Sequence, residues 1–185
     1  MIVPAPLVYP LAGLFTEPAG TQRRYDIHGA TIQLPDELHL AEPIDGTVRV
    51  TRTNRGVYVD AKLTTAIEGQ CSRCLLDIEI PTTVEIHEEA LPSLDPLNGH
   101  RLDASVEPDV ARLTDHHELD LGALAGEAIS LGEPIAPLCE PLCPGLCATC
   151  GERLGPGHEA HVEDEIDPRL AALQAFRVDG DGETG

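Results

Sequence analysis

Alternating apolar and polar residues dominate the chain between residues 44 and 89. The alternation stops at residues 53–56, which read T-N-R-G, and resumes directly afterwards. Such a break between two alternating runs predicts a hairpin turn that joins antiparallel strands. A further alternating run covers residues 78–86, and Pro81 within it favours an edge strand or a bulge. This part of the chain therefore predicts an antiparallel sheet.

Two stretches of the C-terminal half have apolar residues at helical spacing. The first follows Asp120, a typical N-cap residue, and ends at Gly132. The second begins at Asp167, where Pro168 would occupy the first helical position, and runs to Phe176. We expect a short helix at each place.

The change of pattern along the chain predicts four segments. Residues 1–90 hold N-terminal strands and the antiparallel β core. Residues 91–118 are rich in proline and acidic residues without a sustained period, which indicates a flexible insert. Residues 119–176 hold a helix, a cysteine-rich zinc loop and a second helix, and residues 177–185 form an acidic, glycine-rich tail that we expect to be disordered.

The first fifteen residues are apolar and uncharged, but they do not have the pattern of a secretion signal. The first basic residue is Arg23, and Pro4, Pro6 and Pro10 interrupt the apolar run. No apolar stretch has the length of a membrane-spanning helix. We therefore expect a buried N-terminal strand, a cytoplasmic protein and no contact with a membrane.

Composition adds a strong acidic excess. The chain has 32 acidic residues against 12 lysines and arginines, a net charge of −20, and only 3% aromatic residues. Such a surface repels phosphate backbones, offers few stacking platforms for bases, and favours basic partners. Residues 46–76 are the exception, because five basic residues there outnumber two acidic ones. Four arginines of this stretch form the candidate partner-binding or RNA-facing patch: Arg49, Arg52, Arg55 and Arg73.

Six cysteines supply the candidate chemistry. Cys71 and Cys74 form a C-x-x-C pair, and four more cysteines follow the pattern C-x₃-C-x₃-C-x₂-C. In a reducing compartment such clusters indicate a metal rather than disulfides, and thiolates suit Zn²⁺. Gly151 after the last cysteine allows the tight turn that points two sulfurs at one ion.

Two ligand pairings remain open. In the favoured one, the late cysteines close a single structural Cys₄ zinc site: Cys139, Cys143, Cys147 and Cys150. In the other, Cys71 and Cys74 join Cys147 and Cys150, and His158 and His161 serve Cys139 and Cys143. With this loop, the expected fold class is α+β: an antiparallel, barrel-like β core, two short helices and a C-terminal zinc-bound loop.

No cluster of residues predicts catalysis. Protein ligands can fill all four coordination positions, which leaves no place for the water that a catalytic zinc holds. Cys71 and Cys74 could instead form a redox dithiol in which Arg73 lowers a thiol pKa. A zinc-ribbon module that binds nucleic acid is a further alternative, although Arg153 alone supplies a base near the late cysteines. We expect no small-molecule substrate.

The motifs together resemble the YceD family, the large ribosomal RNA subunit accumulation proteins. The resemblance lies in G-Q-C-S-R-C-L at residues 69–75, C-P-G-L-C at 143–147 with Cys150-Gly151, and D-P-R-L-A-A-L at 167–173. It implies a non-enzymatic accessory factor for large ribosomal subunit biogenesis that is needed for accumulation of 23S ribosomal RNA. The implied partner is a large-subunit precursor, a ribosomal protein or the 23S RNA, and the acidic surface favours a basic protein.

Overall fold

The computed structural model describes residues 7–35 and 38–158, together with His161 and Arg169. The second predicted helix, over residues 167–176, and the predicted tail lie outside the described residues, Arg169 excepted. One α-helix is present in the described part, α1 (Leu121–Leu131).

Three long strands form the centre of the protein. They are β3 (Leu40–Arg52), β4 (Val57–Gln70) and β5 (Asp77–Leu91), and each pairs antiparallel with the next. The predicted hairpin turn at residues 53–56 is confirmed, because it joins β3 to β4. The strands form here because apolar side chains alternate toward one buried face while charged side chains occupy the other.

Two shorter strands extend this sheet. β2 (Gln22–Ala30) pairs antiparallel with β3, and β6 (Ala111–Arg112) pairs parallel with the end of β5. The order β2-β3-β4-β5-β6 makes an open, mixed sheet. The expected antiparallel core is confirmed from β2 to β5, although β6 adds a parallel pair. The expectation of a barrel-like core is wrong, since β2 and β6 lie at opposite edges and do not pair.

A second, two-stranded sheet joins the start of the described chain to the residues before α1. β1 (Val8–Pro10) pairs antiparallel with β7 (Glu118–Asp120), immediately before α1. The Asp120 carboxylate accepts a hydrogen bond from the Ala123 N–H at 3.1 Å and caps the helix. Leu121, Ala125 and Ile129 then face a buried aliphatic core that includes Val48, Val59 and Leu63 of the large sheet, among others.

The segment between β5 and β7 contains local structure. It holds a 3₁₀ turn over Ala104–Val106, the short strand β6, and an isolated bridge between Leu94 and Arg101. In the part of the chain that the structure describes, no helix is long and apolar enough to cross a membrane.

Candidate metal centres

The connection between β4 and β5 is a tight turn that carries the first two cysteines. The Cys71 N–H donates to the Leu76 carbonyl at 2.8 Å, and the Leu75 N–H donates back to the Cys71 carbonyl at 2.9 Å. Leu75 closes the turn with a φ of 59°, a conformation that glycine adopts more readily than leucine. The two cysteines thus lie at the end of the longest hairpin of the sheet.

The chain after α1 passes across this turn and brings two more cysteines to it. The Ser72 N–H donates to the Pro137 carbonyl at 2.8 Å, and the Arg73 guanidinium donates to the Cys143 carbonyl at 2.9 Å. These contacts place Cys139 and Cys143 beside the turn.

The four sulfurs have the spacing of a tetrahedral thiolate site. The Sγ atoms of Cys71 and Cys143 are 3.7 Å apart, as are those of Cys74 and Cys139. All four ligand atoms lie within 4.8 Å of one another. A zinc ion with Zn–S bonds of about 2.3 Å in a tetrahedron separates its sulfurs by about 3.8 Å. We call Cys71, Cys74, Cys139 and Cys143 the buried cysteine set, since three of the four are buried.

The pKa values of the thiols in this set differ widely. Burial raises the pKa of Cys71, but hydrogen bonds from the backbone at Cys139, Cys74 and Arg73 outweigh it and lower the pKa to about 6. Burial and the neighbouring sulfurs raise the pKa of Cys139 to about 12, and burial also raises that of Cys143. Cys71 therefore ionises easily while Cys139 and Cys143 resist ionisation, so a full set of thiolates needs a positive ion at its centre.

Arg153 lies directly outside the buried cysteine set. Its guanidinium donates to the Cys139 sulfur at 3.5 Å and lies 3.6 Å from a Glu140 carboxylate oxygen. The charge of Cys74 and Cys139 raises the pKa of Arg153. Because four thiolates around a divalent ion carry a net charge of about −2, a neighbouring guanidinium stabilises the charged set.

A second group of ligand atoms follows along the chain. Cys147, Cys150, His158 and His161 have their ligand atoms within 4.8 Å of one another. The Cys150 Sγ lies 3.3 Å from the His158 Nε2. We call these residues the exposed Cys₂His₂ set, because Cys150 and His161 are exposed and the other two are partly exposed.

The turn that holds Cys147 and Cys150 has the same geometry as the turn that holds Cys71 and Cys74. The Cys147 N–H donates to the Glu152 carbonyl at 2.7 Å, and the Gly151 N–H donates to the Cys147 carbonyl at 2.9 Å. Gly151 has a φ of 74°, in the same left-handed region as Leu75. Each set therefore combines one C-x-x-C turn with two ligands from another part of the chain.

Comparison with known proteins agrees with these motifs. The sequence model described as "Large ribosomal RNA subunit accumulation protein YceD" matches residues 59–177. The chain belongs to the YceD family. The match includes both C-x-x-C turns and all the ligands of the two sets.

The curated relatives of this YceD family member include mycobacterial proteins. An uncharacterised protein of Mycobacterium tuberculosis, Rv2926c, is 30% identical over 177 residues, which cover 92% of this chain and 81% of the relative. An uncharacterised protein of Mycobacterium leprae, ML1660, is 31% identical over 136 residues, 71% of this chain and 58% of the relative. No solved structure matches the chain.

The structure divides the four late cysteines between the two sets. The favoured single Cys₄ site of Cys139, Cys143, Cys147 and Cys150 is not the grouping observed, and neither is the alternative pairing. Cys139 and Cys143 join Cys71 and Cys74, whereas Cys147 and Cys150 join His158 and His161. The physical reason is the crossing at Ser72 and Pro137, which brings the first two late cysteines to the β4–β5 turn before the chain turns away.

The four arginines of the candidate patch each contact another part of the protein. Arg49 pairs with Asp60, and Arg55 donates to both carboxylate oxygens of Glu107 at 2.8 Å. Arg52 donates to the Gly56 carbonyl at 3.0 Å and lies 4.8 Å from the centre of the Phe15 ring. Arg73 donates to the Cys143 carbonyl, as described above. The positive charges of these arginines therefore already interact with carboxylate or carbonyl groups of the protein itself.

The geometry at Cys71 and Cys74 differs from that of a redox dithiol. The pair lies in a hairpin turn and does not open a helix, and Cys71 has no exposed surface. Its sulfur faces Cys143, and that of Cys74 faces Cys139. A thiol that exchanges with disulfides must be reachable by its partner, so this arrangement favours metal binding.

Proposed function

We propose that the chain is a non-enzymatic accessory factor of large ribosomal subunit biogenesis in the cytoplasm. In this proposal it supports accumulation of 23S ribosomal RNA by holding a basic ribosomal protein during assembly of the particle. The observation that carries the proposal is the match of the YceD family over residues 59–177. The description of that family names accumulation of the large-subunit RNA and no chemical reaction.

An acidic groove supports a basic protein as the partner. The groove has a volume of about 570 Å³ and lies between β5, α1 and the residues before β6. Glu88, Asp109 and Glu127 line it, together with Glu85, which pairs with Lys62. Among the described residues, the first three carboxylates have no ion-pair partner. A positively charged segment would neutralise them, whereas RNA would be repelled.

The edge of β5 gives this groove a way to bind an extended segment. β5 pairs with β4 along its length, but on its other side only Ala90 and Leu91 pair with β6. Between Asp77 and Glu89 that other side pairs with no strand that the structure describes. Such an edge accepts an added strand through its backbone hydrogen bonds. Apolar side chains of the groove, among them Leu124 and Leu131, would hold alternate apolar residues of the segment.

Zinc at the buried cysteine set completes the proposal as a structural element. The ion would join the β4–β5 hairpin to the chain that follows α1, two parts separated by more than sixty residues. Because Cys71 and Cys143 are fully buried, the ion would have no open position for substrate. In this role the metal stabilises the scaffold and takes no part in chemistry.

The proposal is tested by depletion and complementation in the native host. Loss of the protein should lower the ratio of 23S to 16S ribosomal RNA, and the wild-type chain should restore it. The variant Glu88→Lys/Glu127→Lys should fail to restore it, since it reverses the charge of the groove. The control Glu42→Lys/Glu68→Lys makes the same charge change at exposed positions outside the groove and should restore it. An unchanged RNA ratio after depletion would refute the function, and full rescue by the groove variant would refute the groove.

A further inference from the structure

We propose that the exposed Cys₂His₂ set is a second zinc site, formed by Cys147, Cys150, His158 and His161. Its ion is released to a chelator faster than the ion of the buried cysteine set. The protein then holds two zinc ions of different lability. This inference concerns metal binding alone and does not depend on the ribosomal function.

The donor atoms match zinc in type and in spacing. Two thiolates and two imidazoles form a neutral tetrahedral set with a divalent ion, and such soft and borderline ligands select zinc over magnesium or calcium. In a tetrahedral site a sulfur and an imidazole nitrogen are about 3.5 Å apart. The Cys150 Sγ and His158 Nε2 are 3.3 Å apart, and the His158 and His161 rings are 5.1 Å apart between centres. The ligands are therefore arranged for an ion without rebuilding of the turn.

A backbone hydrogen bond holds the turn that carries the two cysteines of this site. The Gly151 N–H donates to the Cys147 carbonyl, the same bond that Leu75 makes to Cys71 in the buried set. The left-handed φ of 74° at Gly151 closes this turn, and the two cysteine sulfurs lie within 4.8 Å of each other.

The site lies at the tip of a small hairpin and is separate from the buried set. Leu146 and Arg153 form an antiparallel bridge at the base of the hairpin, and Leu146 packs against the buried cysteines. Cys147 and Cys150 lie beyond this bridge. The crossing between Ser72 and Pro137, which positions the buried set, does not involve the tip. Loss of the tip ion should therefore leave the buried ion in place.

Exposure predicts the difference in lability. Cys150 and His161 are exposed, whereas Cys71 and Cys143 are fully buried. A chelator reaches a ligand bond more easily where solvent already does, and the apolar shell of a metal site controls that access. We expect release from the exposed site to be at least on the order of tenfold faster.

The experiment measures zinc content and zinc release on the full chain. Protein reconstituted with Zn²⁺ should hold two zinc ions per chain by elemental analysis, and a colorimetric chelator should remove them in two phases of equal size. The variant Cys147→Ser/Cys150→Ser should hold one ion and lose the fast phase. The control His28→Ala/His100→Ala removes two exposed histidines elsewhere and should keep both ions and both phases.

A second variant keeps the test decisive if the serine variant does not fold. His158→Ala/His161→Ala leaves every cysteine in place and should also hold one, slowly released ion. Reconstitution with Co²⁺ adds a spectroscopic measure, because loss of a two-sulfur site should reduce the cobalt absorption while the four-sulfur spectrum remains. One zinc ion per wild-type chain, two ions in both variants, or a single release phase from the wild type would overturn the proposal.

Discussion

Leu75 and Gly151 occupy equivalent positions in the two cysteine turns. Each follows the second cysteine of a C-x-x-C pair, each has a positive φ, 59° and 74°, and each donates its N–H to the carbonyl of the first cysteine. The turns are thus built alike, although one uses leucine where glycine is less strained. This equivalence indicates that both turns serve the same purpose, the presentation of two sulfurs to one ion.

Substitution at Leu75 should change stability according to the preference of each residue for positive φ. Leu75→Gly should raise the free energy of unfolding by up to about 1 kcal/mol, because relief of backbone strain exceeds the entropy that glycine adds to the unfolded chain. Leu75→Val should lower it by about 1 kcal/mol or more, since a β-branched residue is least compatible with this conformation. Denaturant unfolding of the three proteins measures the order, and a valine variant as stable as the glycine variant would contradict it.

The cap of α1 provides a test of the core that is independent of metal. Asp120→Ala removes the acceptor of the Ala123 N–H and should lower the free energy of unfolding by about 1 kcal/mol. Asp103→Ala is the matched control, because Asp103 caps only an exposed 3₁₀ turn through Ser105 and should cost less than about 0.5 kcal/mol. Thermal unfolding of both variants makes the comparison, and equal losses would show that α1 does not depend on this cap.

Removal of the buried ion should destabilise the whole protein. In the proposed structural role, an ion at the buried cysteine set would join the sheet to the chain after α1, so its binding free energy would contribute to folding. We expect Cys143→Ser to lower the melting temperature and to make it less sensitive to chelator than that of the wild type, since only the exposed set then holds an ion. Calorimetry with and without chelator measures both effects. A wild-type melting temperature that chelator leaves unchanged, in protein shown to have lost its metal, would contradict the structural role.

Arg153 should strengthen metal binding at the buried cysteine set. Arg153→Met removes the guanidinium beside Cys139 while keeping a long apolar side chain, and it should weaken zinc binding there on the order of tenfold. Arg101→Met is the control, since Arg101 pairs with Asp115 away from the site. Competition with a chelator of known affinity measures the change. Equal affinities of the two variants would show that the arginine has no such role.

The sequence predicted the local features and missed those that depend on distant parts of the chain. Alternation identified the β3–β4 hairpin, and Pro81 lies in the part of β5 whose outer side pairs with no described strand, as a proline in a strand favours. Both signals lie within a few residues. The single parallel pair at Ala90 and Ala111 left no local pattern. It adds β6 to the sheet through a long connection, so the sequence predicted the antiparallel strands but not this parallel pair.

The grouping of the cysteines into two ligand sets also could not be predicted from residues that are close in sequence. Spacing identified the C-x-x-C turns, but the partners of each turn depend on the crossing of Ser72 and Pro137, which are sixty-five residues apart. One signal was present: each C-x-x-C supplies half a tetrahedral site, which leaves Cys139 with Cys143 and His158 with His161 as the remaining pairs. No sequence pattern indicates the acidic groove, because Glu88, Asp109 and Glu127 come from three separate segments of the chain.

In the proposed function, this YceD family member holds a basic ribosomal protein in the groove beside β5. The most direct measurement is carboxylate–lysine cross-linking of the full chain in large-subunit precursor particles, followed by mass spectrometry. We expect cross-links from Asp109 and from Glu88 or Glu127 to lysines of one ribosomal protein. Those of Asp109 should be lost in Glu88→Lys/Glu127→Lys but not in Glu42→Lys/Glu68→Lys. Absence of the chain from large-subunit precursors, or contact with RNA through Arg49 and Arg52 without cross-links at the groove, would contradict it.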